Sequence, residues 1–179
     1  MKKKKIFVWL LLLIIIFLMF FLIYIFFYDS DDFYPHTEKA YYTDYSLSSD
    51  LLNLSQLKTE TTQIAQTYES GLVLTKIDYL FSDKNNGIII LDFYKGFPGK
   101  NKVCTLELKI DIFTKKVYYV LYQKGHGKSL AWNENEITAD LQADLLTYID
   151  SYQQNFSITI LNNQIYTRNI SPTEIINFK

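Results

Sequence analysis

The pattern of hydrophobic and polar positions begins with one long apolar run. Residues from Ile6 to Phe27 include no charged residue, glycine or proline, and the four lysines Lys2 to Lys5 precede them. As a helix rising about 1.5 Å per residue, this run would span about 33 Å, enough for a hydrocarbon core of about 30 Å. The pattern predicts a transmembrane anchor over 6–28, with the bilayer contacting Ile6 to Phe27 and a basic cytoplasmic flank at 1–5.

A secretory signal peptide is the alternative interpretation of this run. Such peptides have an apolar region of about 7 to 15 residues, followed by small residues at a cleavage site. Here the run is longer and ends in the sequence from Tyr28 to Asp32, Y-D-S-D-D. Lysines before an apolar span keep that end in the cytoplasm. We therefore expect a single-pass protein of the cell membrane, with a cytoplasmic N-terminus and a C-terminal domain outside.

After the apolar run, residues 29–47 are polar and rich in tyrosine, and Pro35 interrupts them. These features indicate a membrane-proximal linker before an extracytoplasmic domain at 48–179. Between 48 and 70, apolar residues such as Leu54 and Leu57 recur at spacings of three and four, which predicts an amphipathic helix. Gly71 stands where a left-handed residue would end that helix.

From 72 to 124 the apolar period changes from 3.6 to two. Cys104, Leu106 and Leu108 alternate with polar residues, a pattern typical of an antiparallel strand with one buried face. A two-residue turn at 114–115 would return this strand through 116–123. In that register Tyr119 and Leu121 face the core, whereas Tyr118, Val120 and Tyr122 face outward.

An earlier hairpin is predicted around Asn85-Asn86-Gly87, with strands at 77–84 and 88–95 and with Phe81 opposite Leu91. Further on, Asn133 and Glu136 resemble a capping box before a second helix that extends to about 153. Residues 156–161 and 164–168 predict a short final hairpin. The fold class is therefore α+β: an N-terminal single transmembrane helix followed by one domain with a helix, a four-stranded antiparallel sheet, a second helix and a short C-terminal hairpin.

Charge and cysteine content restrict the possible partners. The chain has 19 acidic and 18 basic residues, and because four of the basic residues precede the apolar run, the rest carries about −5. A negative domain repels phosphate backbones, which argues against nucleic-acid binding. The single cysteine, Cys104, is in phase with aliphatic residues, so we expect it in the core and not as a nucleophile.

Gly127-Lys128-Ser129 resembles the end of a phosphate-binding loop. The motif requires a glycine five residues before Gly127, where the chain has Tyr122, and an antiparallel strand precedes the loop, so no nucleotide is expected. The acidic residues 29, 31 and 32 with His36 lack the spacing of a known metal loop. Glu107 and Asp111 lie about 13 Å apart along one strand, farther than the paired carboxylates of glycosidases. We therefore expect no cofactor, no metal site and no catalytic residue.

One candidate site remains. The predicted outward tyrosines, Tyr118 and Tyr122, lead into Lys124, His126 and Lys128, and tyrosines on a surface are enriched at partner sites. The second helix or the final hairpin could instead cover these tyrosines.

From this candidate site we predict a non-enzymatic interaction module of the cell envelope that binds a protein or peptide partner. The first alternative is an immunity or inhibitor protein that meets a secreted toxin or enzyme. The second is an envelope enzyme that works through Glu107, Asp111 or His126.

Overall fold

The computed structural model describes Trp9 and residues 12–20, 33–97, 100–127 and 133–178. The chain divides into two compact units, Met1–Asp32 and Phe33–Lys179. The second unit thus begins well before residue 48, because residues assigned to a linker belong to its sheet.

In the first unit, Trp9 and residues 12–20 are helical. No helix in the described part of the chain is long and apolar enough to cross a membrane. This finding contradicts the predicted transmembrane helix over 6–28 and the single-pass membrane assignment that rested on it. The other residues of 1–32 lie outside the described part.

The second unit is built on one antiparallel sheet of seven strands in the order β1-β5-β4-β3-β2-β6-β7. The strands are β1 Tyr34–Ser46, β2 Val73–Asp83, β3 Asn86–Phe97, β4 Lys100–Asp111, β5 Lys116–His126, β6 Phe156–Leu161 and β7 Gln164–Asn169. The helices of this unit are α1 Leu54–Tyr68, α2 Ala139–Ser151 and α3 Pro172–Phe178. The predicted four-stranded sheet is therefore wrong, since β1 and the C-terminal hairpin extend the same sheet at its two edges.

Strand β1 occupies the segment that the sequence indicated as a linker. It pairs with β5 from Tyr34 opposite His126 to Ser46 opposite Lys116. Every residue of β1 except Thr43 is exposed, so no apolar alternation marks it. An edge strand is held mainly by the backbone hydrogen bonds to its single neighbour, which a hydrophobic pattern does not report.

The hairpin registers also differ from the predicted ones. In the β2–β3 hairpin Phe81 lies opposite Gly87, not Leu91. The strand pairing is irregular next to Asp83, and this irregularity allows a tighter turn that keeps the apolar residues on one face. The β4–β5 turn occupies residues 112–115, with Asp111 opposite Lys116 and Lys115 at a φ of 57°. A bulge then adds one residue to β5 between Val117 and Tyr119, which reverses the facing of the residues that follow.

Helices α1 and α2 pack on one face of the sheet, which we call the inner face. Asn53 caps α1 by accepting a hydrogen bond from the Gln56 amide, and Thr138 caps α2 by accepting one from the Leu141 amide. The capping position predicted at Asn133 is therefore wrong. Cys104 is buried in this core, as its alternation predicted. The core contains, among others, Leu54, Leu57, Leu72, Ile77, Tyr79, Phe81, Ile89, Leu91, Phe93, Leu106, Leu108, Ile110, Val117, Val120, Leu141, Leu145, Phe156, Ile158 and Ile160.

On the opposite face, here the outer face, the described part of the chain provides cover at one end only. There the short helix α3 and the residue Ile170 before it pack on Leu80, Ile88 and Ile90, which form a second and smaller apolar cluster. Beyond α3, the outer face carries charged side chains and an open groove.

Candidate functional site

The outer-face groove consists of two adjoining cavities of about 310 and 320 Å³. Both cavities are lined by Lys76, Asp92 and Glu107, so they form one continuous depression across β2, β3 and β4. The first cavity is lined further by Thr75, Phe93, Tyr94, Thr105, Leu106, Leu121 and Gln123. The second is lined further by Asp78, Leu80, Ile90, Ser157, Thr159, Arg168 and Phe178.

Strand pairing assembles the charged floor of this groove. Lys76 lies directly opposite Asp92, and Asp92 lies directly opposite Glu107 on the next strand. Directly opposed residues of antiparallel strands have Cβ atoms about 4.5–5.5 Å apart. The register therefore places two carboxylates, Asp92 and Glu107, side by side on the outer face.

Nearby lysines neutralise the negative charges of these two carboxylates to different extents. The Lys76 ammonium lies 2.6 Å from Asp78 Oδ2 and 3.1 Å from Asp92 Oδ2. Glu107 has a longer contact, 3.7 Å from its Oε1 to the Lys109 ammonium. About one third of each of the Asp92 and Glu107 side chains is exposed, so a ligand can reach both carboxylates.

The pKa values report the same imbalance. Burial raises the pKa of Asp92 above the ordinary 3.8, and the positive charge of Lys76 offsets only part of this effect. Burial and the negative charge of Asp92 raise the pKa of Glu107 above the ordinary 4.5. Burial alone would lower the pKa of Lys76, but hydrogen bonding to Asp78 and the charges of Asp92 and Asp78 outweigh it and raise the pKa. Both carboxyls thus hold their protons more tightly than usual, as expected for under-compensated acids.

Aromatic side chains form a rim beside the groove, where Phe178 lines the second cavity and Tyr119 lies next to it across Lys109. The Lys109 ammonium lies 5.0 Å from the centre of the Tyr119 ring and 5.6 Å from that of Phe178. Tyr42 on β1 contacts Tyr119, with ring centroids 5.6 Å apart, and is 86% exposed. This rim offers flat apolar area next to the charged floor.

The tyrosines of the sequence-predicted site lie on opposite faces of the sheet. Tyr118 is on the outer face, packs against the cluster under α3, and its hydroxyl donates to the Phe178 carbonyl at 3.0 Å. Tyr122 packs against the inner-face core, and its hydroxyl donates to Glu69 at 3.2 Å. The bulge at the start of β5 separates them, so they form no shared outward row.

The cationic members of that predicted site are separated as well. The Lys124 ammonium lies 3.1 Å from Glu69 Oε2, and the Lys95 ammonium lies 2.9 Å from Oε1 of the same carboxylate. The hydrogen bond from Lys95, together with Lys124, holds the pKa of Glu69 below its ordinary 4.5. His126 contacts His36 across β1 and β5. Lys128 lies outside the described residues.

The groove residues that sequence reasoning missed carried a usable signal. Asp92 interrupts the apolar run from Ile88 to Tyr94, and Asp78 interrupts a similar run in β2. A charged residue on the solvent-exposed face of a strand is ordinary. Whether two such residues on neighbouring strands lie side by side depends on the register, which the sequence pattern does not reveal. On sequence alone, Glu107 is compared with Asp111 on the same strand as a possible carboxylate pair, whereas the structure places Glu107 beside Asp92 on the neighbouring strand.

Comparisons with known proteins provide no assignment for this arrangement. No family model matches the chain, and neither a curated protein nor a solved structure matches it significantly.

Proposed function

We propose that the chain is a non-enzymatic interaction module that binds a cationic segment of a partner protein along the outer-face groove. The observation that carries this proposal is the Asp92–Glu107 pair. Two carboxylates lie side by side, and the strongest lysine contacts go to Asp78 and Asp92 and not to Glu107. A guanidinium or ammonium group placed over this pair would relieve their repulsion and lower both pKa values.

The shape of the groove suits an extended polypeptide. Each cavity is at the lower end of the range of about 300–1000 Å³ that is typical of ligand pockets. The two cavities share their charged floor, so a strand-like segment can place alternate side chains in both. The rim of Tyr119 and Phe178 adds aromatic contact area of the kind that is enriched at protein interfaces.

Threonine hydroxyls line both cavities next to the carboxylates. Thr75 Oγ1 donates to the Asp92 carbonyl at 3.0 Å, and Thr105 Oγ1 donates to Gln123 at 3.3 Å. A nucleophilic hydroxyl needs a base that accepts its proton, and neither of these two hydroxyls donates to a carboxylate. In the second cavity Thr159 Oγ1 does donate to Asp78 Oδ1, but the Lys76 ammonium holds that carboxylate in an ion pair at 2.6 Å.

The test uses two labelled peptides, one of alternating arginine and glycine and one of alternating glutamate and glycine. Fluorescence anisotropy at low ionic strength reports binding to the folded chain, since screening is then weak. We expect the arginine peptide to bind and the glutamate peptide not to bind. Asp92→Asn and Glu107→Gln should each weaken binding of the arginine peptide about two- to fivefold, as partly exposed ion pairs contribute up to about 1 kcal/mol.

Matched controls remove the same charge elsewhere. Asp144 on α2 and Glu136 before it are exposed and lie outside the groove lining. Asp144→Asn and Glu136→Gln should leave the affinity unchanged. If the controls weakened binding as much as the groove variants did, the peptide would be responding to net charge and the proposed site would be wrong.

A further inference from the structure

The only two histidines of the chain, His36 and His126, meet although 90 positions separate them. His36 Nε2 and His126 Nδ1 are in direct contact. The two ring centroids lie 4.4 Å apart, and the rings are inclined at 71°. The pair lies on the surface, at the end of the β1–β5 ladder and away from the residues that line the outer-face groove.

The backbone is arranged so that these two rings converge. Pro35 lies opposite Gly125 and Thr37 lies opposite Lys124, which leaves His36 as the additional residue of a bulge in β1. A bulge redirects the side chain of its additional residue. Gly125 allows the strands to approach closely here, because a Cβ on this residue would lie 2.1 Å from the Tyr34 carbonyl oxygen.

The chemistry of two converging imidazoles favours a metal ion over a hydrogen bond alone. Two neutral rings can share one N–H···N hydrogen bond, and water competes for such a bond at an exposed position, so its net contribution is small. Two ring nitrogens directed at one point are also the donor type that Zn²⁺, Ni²⁺ and Cu²⁺ prefer. A zinc ion bound by two nitrogens at about 2.0–2.1 Å holds them about 3.3 Å apart in tetrahedral geometry, so the two rings move apart when the ion binds.

We propose that His36 and His126 form a two-imidazole site for a divalent transition-metal ion. Among the described residues, no group of three or more His, Cys, Asp or Glu side chains gathers in a way that could hold a metal. Water therefore completes the coordination, and binding is weaker and more exchangeable than at four-ligand structural sites. Because the ligands come from β1 and β5, the ion connects the edge strand to the sheet and stabilises the folded chain.

The experiment uses the untagged full chain, since a histidine tag would supply competing ligands. Isothermal titration calorimetry with Zn²⁺ should show one saturable site, and Mg²⁺, which prefers oxygen ligands, should show none. Removing groups that only orient a metal ligand typically costs about 10–100-fold in affinity, so His36→Ala and His126→Ala should each weaken Zn²⁺ binding at least tenfold. Thr37→Ala, next to the site, is the matched control and should bind as the native chain does.

A replacement variant separates a ligand from a residue with a structural role. His36→Cys with a reduced thiol keeps a good zinc donor at this position and should retain Zn²⁺ binding that His36→Ala loses. Circular dichroism establishes that each variant is folded before titration. No saturable Zn²⁺ binding by the native chain would overturn the proposal. Native-like affinity in both alanine variants would also overturn it, because the ion would then be bound elsewhere.

Discussion

At the scale of single residues, Gly125 has an effect that its neighbour Gly127 lacks. A Cβ added to Gly125 would lie 2.1 Å from the Tyr34 carbonyl oxygen and 2.7 Å from Pro35 Cα, both of them backbone atoms of β1. A Cβ added to Gly127 would have its nearest neighbours at 3.5 Å, an ordinary contact. One glycine is therefore needed for the close approach of two strands, and the other is not.

We expect Gly125→Ala to lower the free energy of unfolding by about 1–3 kcal/mol, the usual cost of forcing extra atoms into a packed position. Gly127→Ala should change it by less than about 0.5 kcal/mol, as surface substitutions generally do. Urea denaturation followed by circular dichroism measures both values. Equal stability of the two variants would mean that β1 does not approach β5 as closely as described.

At the scale of secondary-structure elements, α3 is a short helix that covers part of the outer face. Ile175 is 5% exposed and packs with Leu80, Ile88 and Ile90, whereas the next residue, Ile176, is 69% exposed. The two adjacent isoleucines thus provide a matched pair on one helix. They separate the effect of burial from that of side-chain type and helix propensity.

Ile175→Ala should reduce the free energy of unfolding by about 2–4 kcal/mol, because it removes buried methyl groups and leaves a cavity under α3. Ile176→Ala should have little effect, and alanine's higher helix propensity acts in its favour. Thermal and urea unfolding of both variants test this difference. If the loss were equal in both, α3 would not pack on the sheet as described.

The bulge at the start of β5 explains why the side-chain directions predicted for this strand are wrong. Strict alternation predicts that Tyr118 and Tyr122 both point outward, because residues four apart on a regular strand share a face. One additional residue at the bulge moves Tyr122 to the inner face, where it contacts Glu69. A bulge changes the phase of a strand without changing its composition, so the sequence pattern alone does not reveal it.

At the scale of the whole molecule, the charged floor of the outer-face groove combines residues from three strands. Lys76, Asp92 and Glu107 are separated by 15 or more positions along the chain, and only the register of β2, β3 and β4 aligns them. The groove also depends on α3, because that helix covers one end of the outer face and Phe178 lines the second cavity.

Binding of the arginine peptide should depend on pH in a defined direction. The pKa values of Asp92 and Glu107 are raised above 3.8 and 4.5, so these carboxyls take up protons at a higher pH than ordinary ones do. A cationic ligand prefers the ionised form, so affinity should be full above the raised pKa values and decline as the pH falls through them. Anisotropy titrations between pH 7 and pH 4 measure this decline.

The double variant Asp92→Asn with Glu107→Gln is the control for this pH dependence. It lacks both titrating groups, so its weaker binding should change much less over the same pH range. A decline of equal size in the double variant would assign the pH dependence to other groups and argue against the groove as the binding site.

Local patterns in the amino-acid sequence are enough to predict the features that depend on near neighbours in the chain. The 3.6-residue period predicted helices in the regions of α1 and α2, and the two-residue period predicted strands in the regions of β2 to β5 and the inward position of Cys104. These predictions hold because side-chain direction follows from local backbone geometry within a turn of helix or a few residues of strand.

Which segments meet depends on long-range pairing, which the folded chain alone reveals. This pairing placed the exposed segment Tyr34–Ser46 at one edge of the sheet, set Asp92 against Glu107, and brought His36 to His126. Each of these pairings is specified by register, bulges and edge hydrogen bonds, which depend on cooperation between distant segments and leave no periodic trace in the sequence. The Asp92–Glu107 pair and the histidine pair exist only at this level, because the two members of each pair come from different strands.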